Sequence, residues 1–248
     1  MKYFKVILLT VILLAVLGNT ASAQTLPKIS IGVEEGEDAK DLSVTLQILL
    51  LLTILTLAPA IIIMLTSFVR IVVIFSFLRH AIGTHQMPPN QLLVGLAIIL
   101  TAFIMAPTIT QINENALQPY LQDEISQKEA YDSGIKPLRE FMLKQVREKD
   151  LALFVSLSGV SKPEKPEDIP TYLIIPGFVI SELRVAFQIS FVLFIPFLII
   201  DMVVASVLMS MGMLMLPPIM VSLPFKILLF VLVDGWYMII KSVVTSFN

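Results

Sequence analysis

Five charged side chains stand in or beside the most apolar stretch of the chain, residues 176–236. They are Glu182, Arg184, Asp201, Lys226 and Asp234. No Asp, Glu, Lys or Arg occurs from residue 185 to 200 or from 202 to 225. An isolated charge at membrane depth costs about 2.5–3.5 kcal/mol on insertion scales, so such charges usually face a partner or a water-filled path. The pattern therefore predicts buried charges that hold an assembly together.

Helical spacing narrows the choice of partners for these charges. Asp201 lies about 25 Å beyond Arg184 along an unbroken helix, so these two side chains cannot pair within one helix. Lys226, across the next turn, is the better partner for Asp201. Glu182 and Arg184 project from different faces of a helix, so each is predicted to pair with another element. The alternative is that Asp201 and Lys226 extend to an aqueous interface without pairing.

A turn rich in methionine separates the two apolar arms of this stretch. Four methionines alternate with other residues: Met209, Met211, Met213 and Met215. Three residues in and directly after this run favour a turn: Gly212, Pro217 and Pro218. Methionine is flexible and adapts to irregular contacts, so the cluster could fill a core or line one side of a loop at the tip of a hairpin.

Other chemistry finds little support in the sequence. His80 and His85 are the only histidines, and their spacing of five does not place them on one helix face, so they are interpreted as polar residues at an interface, with no metal site. There is no cysteine, no nucleophile–base motif and no phosphate-binding loop, so neither a catalytic site nor a cofactor is predicted. The net charge of −2 gives no footprint for nucleic acid.

The composition defines the class of protein that positions these residues. Of the 248 residues, 56% are hydrophobic and 15% are charged, and the mean hydropathy is +0.89. Ordinary soluble domains carry about 25% charged residues. We predict an all-α, polytopic membrane protein with four apolar helical segments and a small helical periplasmic insert.

The N-terminal segment has the features of a secretory signal. Lys2 and Lys5 precede an apolar run, and Ala21-Ser22-Ala23 follows it. We predict that residues 1–23 are a cleaved signal peptide; the alternative is a first membrane anchor. Residues 24–41 are predicted to be an acidic lead-in.

The next segment, residues 42–112, is predicted to be a pair of apolar helices. The spans cover residues 42–69 and 92–112. The loop between them carries Arg70 and Arg79 and no acid, which places it in the cytoplasm. A mature N-terminus outside the cytoplasmic membrane gives the same topology.

Residues 113–172 hold most of the charge and are predicted to form a periplasmic helical domain. Apolar residues at helical spacing indicate helices over residues 115–131 and 136–157, joined by a turn at Ser133-Gly134. A domain of this size has a marginal core, so self-association is expected. Residues 173–248 form the C-terminal helical hairpin with the Met-rich turn.

Four blocks of sequence resemble one family, and they occur in the family's order. Three lie in the hairpin: PGFVISELRVAFQIS, IIDMVVASVLMSMGMLMLPP and LPFKILLFVLVDGW. The fourth, LTSFVRIVVIFSFLRHAIGTHQMPPNQLLVGLAIILTAFIMAP, lies upstream. All four resemble the FliP/SctR family of type III protein export gates, whose members serve flagella and virulence injectisomes.

This resemblance implies a function. It implies a channel-forming core subunit of the flagellar export gate in the bacterial inner membrane, at the flagellar basal body, which passes unfolded flagellar proteins. It also implies a homo-oligomer, expected to be a pentamer, with FliQ and FliR in the gate and FlhB and FlhA as neighbours. The Met-rich loops would form a ring that seals the channel. Leu214 stands where the family commonly has a third methionine. In assembled gates of this family, apolar segments are partly lifted out of the lipid.

Three alternatives to a flagellar gate remain open. An injectisome gate would share the same blocks, but the signal peptide and the sizeable insert favour the flagellar branch. A secondary transporter for a small solute would need internal repeats and a polar midplane site, and residues 42–112 and 173–246 show no repeat. An enzyme would need a reactive constellation, which the motifs do not provide.

Overall fold

The computed structural model describes residues 39–84, 87–160, 165–213 and 215–247, with side chains described from residue 46 onward. These residues form helices and turns, and no strand occurs among them. Their nine α-helices are α1 (Ala39–Met64), α2 (Phe68–Ile82), α3 (Asn90–Ile112), α4 (Gln118–Leu121), α5 (Gln127–Gln145), α6 (Glu148–Ser158), α7 (Thr171–Ser210), α8 (Pro218–Leu232) and α9 (Gly235–Thr245). The predicted signal peptide and most of the acidic lead-in lie outside the described residues.

Helix α1 is apolar around its whole circumference. Its stretch Leu46–Met64 has a mean hydropathy of 2.6, and none of it is buried within the chain. A helix that is apolar all round and not buried within its own chain is expected to be covered by lipid or by another protein. The sequence predicted one span through residue 69, but α1 ends at Met64, and α2 begins at Phe68 after a break.

Helix α2 lies at the centre of the larger core. Ile71, Ile74 and Phe75 have no exposed surface, and α2 packs against α3, α7 and α8. The sequence interpretation treated residues 70–90 as a loop. This is wrong for residues 70–82, which form a helix because one apolar face of it is buried against α3, α7 and α8. Gly83 ends the helix in the left-handed region, with φ +87°, which glycine adopts without strain.

Helix α3 continues into the insert without a loop. A π-helical turn, Asn113–Leu117, connects α3 to the short helix α4. Together they make a helical unit of 32 residues, Asn90–Leu121, with a mean hydropathy of 2.5 in its most apolar window.

The helices of the insert differ from those predicted. Helix α5 runs through Ser133-Gly134, where the sequence suggested a turn. Ser126 starts this helix, because its hydroxyl accepts a hydrogen bond from the backbone N–H of Glu129 and the Glu129 carboxylate accepts one from the backbone N–H of Ser126. The bond from the Ser126 N–H, with a smaller contribution from the Ser126 side chain, lowers the pKa of Glu129.

Gly134 has a packing role within α5. A Cβ atom at this position would lie 3.4 Å from the Cβ of Ala116 in the π-helical turn. The absence of a side chain at Gly134 therefore allows α5 and the π-helical turn to approach closely. Glycine is used for such close approaches as well as for turns. The predicted second helix is divided instead at Val146 and Arg147, which have extended backbones between α5 and α6.

Helix α7 joins the two cores of the fold. Its 40 residues extend about 60 Å, roughly twice the thickness of a hydrocarbon core. Phe178 near its start packs in a cluster with Met142 of α5 and Leu151 of α6. Ala186 and Phe197 further along belong to the larger cluster around α2.

The long apolar helices fit a polytopic membrane protein. Three described helical units have the length and composition to cross a membrane: Leu46–Met64, Asn90–Leu121 and Thr171–Ser210. Helices α8 and α9, bent by 65° at their junction, give a fourth if they count as one broken span. The predicted fold class, all-α and polytopic with four apolar segments, is therefore confirmed.

Candidate functional site

The Met-rich turn, residues 211–217, begins with a tightly capped helix end. Met213 N–H donates to the Leu208 carbonyl over 3.0 Å, and Gly212 N–H donates to the Met209 carbonyl over 3.0 Å. These two bonds form a Schellman motif, which requires a left-handed residue just after the helix. Gly212 meets that requirement with φ +76°. Met209 is helical, whereas Met211 caps α7.

The double proline ends the Met-rich turn and starts α8. Pro217 is the N-cap residue, with extended backbone, and Pro218 is the first residue of the helix. Proline suits this position because the first N–H groups of a helix have no partner within it and the φ angle is already helical. The turn is therefore fixed on one side by glycine and on the other by proline.

The methionine side chains of this tip project away from the rest of the chain. Met215 is 99% exposed, and Met209, Met211 and Met213 are 58%, 65% and 43% exposed. Leu214 lies outside the described residues. Contiguous exposed apolar side chains mark a surface that lipid or another protein covers. The arrangement places soft, apolar side chains at the free end of a hairpin.

Asp201 and Lys226 form an ion pair beneath the Met-rich turn. Lys226 Nζ lies 2.6 Å from Asp201 Oδ2, and the Ser222 hydroxyl donates to Asp201 Oδ1 over 2.6 Å. Lys226 is 2% exposed and also donates to the Ala81 carbonyl over 3.3 Å. The pair thus connects α7, α8 and the C-terminal end of α2, where the helix dipole favours a cation.

A second buried cluster surrounds Arg70. Its guanidinium forms a two-point ion pair with Glu182, with Nε donating to Oε2 over 2.9 Å and the second nitrogen contacting Oε1. It also donates to the Ser246 carbonyl over 2.8 Å and to Gln145 Oε1 over 3.0 Å. The Phe247 ring stacks 3.7 Å from the guanidinium carbon. This cluster holds together α2, α5, α7 and the end of the chain.

The sequence interpretation assigned Arg70 a different role. It was counted as a cytoplasmic loop charge, but it is 1% exposed and its partner Glu182 is fully buried. The positive-inside argument for residues 70–90 therefore depends on Arg79 alone. Residues 70 and 182 are far apart in sequence, so no local pattern could have indicated this pair.

Arg184 and Asp234 were predicted to be buried charges, and in the single chain both are exposed. Arg184 points outward from α7, and Asp234 lies at the break between α8 and α9 with φ +50°. Neither side chain has a hydrogen bond or an ion pair with any described residue. Their predicted role in assembly remains a prediction.

Metal-binding geometry does not occur among the described residues: they include no cluster of three His, Asp or Glu side chains that could hold an ion. His80 Nδ1 lies 2.6 Å from the carbonyl oxygen of Ser76, one turn earlier in α2. His85 lies outside the part of the chain that the structure describes.

These features define a class of protein: a helical membrane protein whose apolar hairpin is secured by buried ion pairs and ends in an exposed methionine tip. The FliP family model matches residues 51–243. The chain is 57% identical over 217 residues to the flagellar biosynthetic protein FliP of Bacillus subtilis (strain 168). These matched residues make up 88% of this chain and 98% of that relative.

Two further relatives give the same result. The flagellar biosynthetic protein FliP of Pectobacterium carotovorum subsp. carotovorum is 52% identical over 205 residues, or 83% of this chain and 80% of the relative. That of Caulobacter vibrioides is 48% identical over 240 residues, or 97% and 89%. The chain belongs to the FliP family. It is a membrane-embedded structural component of the flagellar biosynthesis and export apparatus, and it assembles with other proteins of that apparatus.

Proposed function

We propose that this chain is a channel-forming subunit of the flagellar export gate, which passes unfolded flagellar proteins across the bacterial inner membrane. The observation that supports this most directly is the Met-rich turn, an exposed apolar tip on a hairpin that is anchored by the ion pair between Asp201 and the buried Lys226. We propose that this tip is the seal of the conduit.

Two physical requirements favour methionine at such a seal. A path wide enough for an unfolded chain leaks ions unless something apolar closes it, and apolar constrictions close by dewetting. The closure must also yield to many different side chains, which suits a rotatable thioether better than a rigid branched residue. Met213 and Met215 follow the glycine cap and have few contacts within the chain, so they are free to move aside.

One tip cannot close a pore, so the proposal includes an oligomer. Copies of the chain, expected to be five, would bring their Met-rich turns together around an axis, with FliQ and FliR in the same gate and FlhB and FlhA beside it. We further propose that residues 1–23 are removed as a signal peptide and that residues 113–172 lie in the periplasm. The outer surfaces of α1 and α7 offer the apolar area that such packing needs.

The test is a double substitution in the turn, Met213→Ala with Met215→Ala. We expect the complex to assemble and membranes that contain it to conduct small ions more readily, because two apolar side chains are missing from the constriction. Met202→Ala is the matched control, since Met202 is also exposed, at 62%, but lies on the outside of α7. Bulky, rigid replacements at residues 213 and 215 should slow export. A double variant that assembles normally and stays ion-tight would place the seal elsewhere.

A further inference from the structure

Helices α8 and α9 follow one another but expose different kinds of side chain. In α8 the polar residues Ser222 and Lys226 point inward together with the apolar Phe230, and the three are 0%, 2% and 8% exposed. Its outward side chains are apolar: Ile219, Phe225, Leu228, Val231 and Leu232, between 55% and 74% exposed. An outer face made of apolar side chains is the arrangement expected of a helix covered by lipid or by an apolar partner.

Helix α9 exposes polar side chains as well. Ile239 and Val243 face the core and are 3% and 0% exposed. The outward side chains include one apolar residue, Met238, which is 54% exposed. The others form a polar stripe that begins at the residue preceding the helix, which we name the α9 stripe: Asp234, Tyr237, Lys241 and Thr245. With about 100° between successive residues, the three positions within the helix fall within roughly 80° of one another around it.

The polar groups of the α9 stripe have few partners in the rest of the chain. Lys241 Nζ lies 5.7 Å from the centre of the Tyr237 ring, and the Thr245 hydroxyl donates to the Lys241 carbonyl over 2.8 Å. The Asp234 carboxylate has no partner among the described residues. Both charges of the stripe are therefore available to solvent or to a passing molecule.

A lipid-facing position does not suit this stripe. An acid and a base on one exposed helix face are costly in hydrocarbon, and such residues in membrane proteins face a bundle interior or a water-filled cavity. The preceding helix shows that the same hairpin presents a fully apolar surface where one is needed. The axes of α8 and α9 differ by 65° at their junction, so the two helices do not form one straight span.

We infer that the α9 stripe lines a water-filled part of the export conduit and contacts the unfolded polypeptide in transit. This inference rests on the proposed function. It adds a hydrated, polar lining to a conduit that the apolar Met-rich turn closes. The 15 residues of α8 place the start of α9 about 22 Å along the hairpin from the turn. The dry and wet parts of the path are therefore separate along the chain.

The chemistry of the stripe fits a substrate that is defined by being unfolded. One carboxylate and one ammonium give the stripe no net charge, so it favours neither acidic nor basic segments of the passenger. The hydroxyls of Tyr237 and Thr245, and the water beside them, can exchange hydrogen bonds with a polypeptide backbone. Such contacts are replaceable one by one, so the passenger is not held at a single position.

The test uses the fact that the chain contains no cysteine. Single variants Tyr237→Cys, Lys241→Cys and Thr245→Cys are placed in the complete export apparatus in cell membranes and exposed to a charged, membrane-impermeant thiol reagent. Leu228→Cys and Val231→Cys on α8 are the matched controls, since both side chains are exposed in the single chain but lie on the apolar outer face of α8. Only variants that restore motility are compared, and Ser242→Cys, beside the stripe, replaces any that does not.

We expect the stripe cysteines to react at least about tenfold faster than the α8 cysteines, because apolar surroundings raise the pKa of a thiol and each unit removes tenfold of the reactive thiolate. An exported flagellar protein fused to a domain that stays folded is then used to jam the path. We expect this passenger to slow labelling of the stripe and to leave the α8 controls unchanged.

Two results would overturn the inference. Stripe cysteines that react no faster than the α8 controls would show that another chain or lipid covers α9. Stripe cysteines that react rapidly but are not protected by the jammed passenger would place the stripe in water outside the conduit. Neither result depends on the seal: ion leakage in the Met213 and Met215 variant tests the proposed function separately.

Discussion

Substitution of Glu182 should destabilise the fold more than substitution of any exposed charge on the same helix. In Glu182→Gln the side chain keeps its shape but loses its charge, so the guanidinium of Arg70 stays buried without an anion. Removing one partner of a buried pair costs about 3–5 kcal/mol. The Ser246 carbonyl and Gln145 still accept hydrogen bonds from Arg70, so we expect the lower end, about 3 kcal/mol.

The loss can be measured as a shift in the melting temperature of the purified protein in detergent. For a chain of this size, 1 kcal/mol corresponds to about 2–4 °C, so Glu182→Gln should melt roughly 6–12 °C below the wild type. Arg184→Gln is the matched control: it lies two residues away on α7, is exposed, and should change stability by no more than about 0.5 kcal/mol.

A double-mutant cycle tests the pairing itself. The variant Arg70→Gln with Glu182→Gln should lose much less than the sum of the two single losses, because the second substitution removes a charge that the first left unpaired. Strictly additive losses, or a Glu182→Gln variant that melts with the wild type, would refute the claim that this ion pair stabilises the fold.

Two further predictions concern the hairpin. Asp201→Ala and Lys226→Ala should each impair assembly and motility, and the charge swap should recover only part of the loss because Lys226 also donates to the Ala81 carbonyl; single variants that swim like the wild type would make the pair dispensable. Gly235→Ala should lower the melting temperature, since the new Cβ would lie 2.3 Å from the buried ring of Phe230, and overpacking typically costs about 1–3 kcal/mol; Gly95→Ala, which meets nothing within 4 Å, should not.

Local patterns in the sequence predicted the long apolar helices and the methionine tip, but not α2 or the helices of the insert. Long runs without charge identify α1, α3 and α7, because hydrocarbon excludes unpaired charges whatever the tertiary contacts are. Gly212 and the double proline identify the turn, because their backbone preferences are intrinsic to the residues. The pairing of Asp201 with Lys226 also follows from position, because a tight turn brings the two arms of a hairpin together.

Long-range contacts were beyond such patterns. Arg70 and Glu182 are 112 residues apart, and each lies at the end of an apolar stretch that suits either a membrane edge or a buried helix. Gly134 was interpreted as a turn because glycine favours turns, whereas its value here is the absence of a Cβ opposite Ala116. In both cases the deciding factor is a neighbour that local sequence does not specify.

The distribution of contacts along the hairpin bears on how a seal at its tip could open. Asp201 precedes the end of α7 by nine residues, or about 13 Å of helix, and its ion pair ties α7 to α8 at that level. Beyond the pair, the described tip side chains are exposed and have few contacts to lose. Segments with few buried contacts open at low free-energy cost, whereas segments held by a buried pair do not.

We therefore expect the Met-rich turn to move aside for a passenger while the ion pair beneath it stays closed. Hydrogen exchange measured on the assembled complex should then be fast at residues 211–216 and slow at residues 222–230. Slow exchange in both segments would mean that the tip and the pair open together, and the turn could not act as an independent seal.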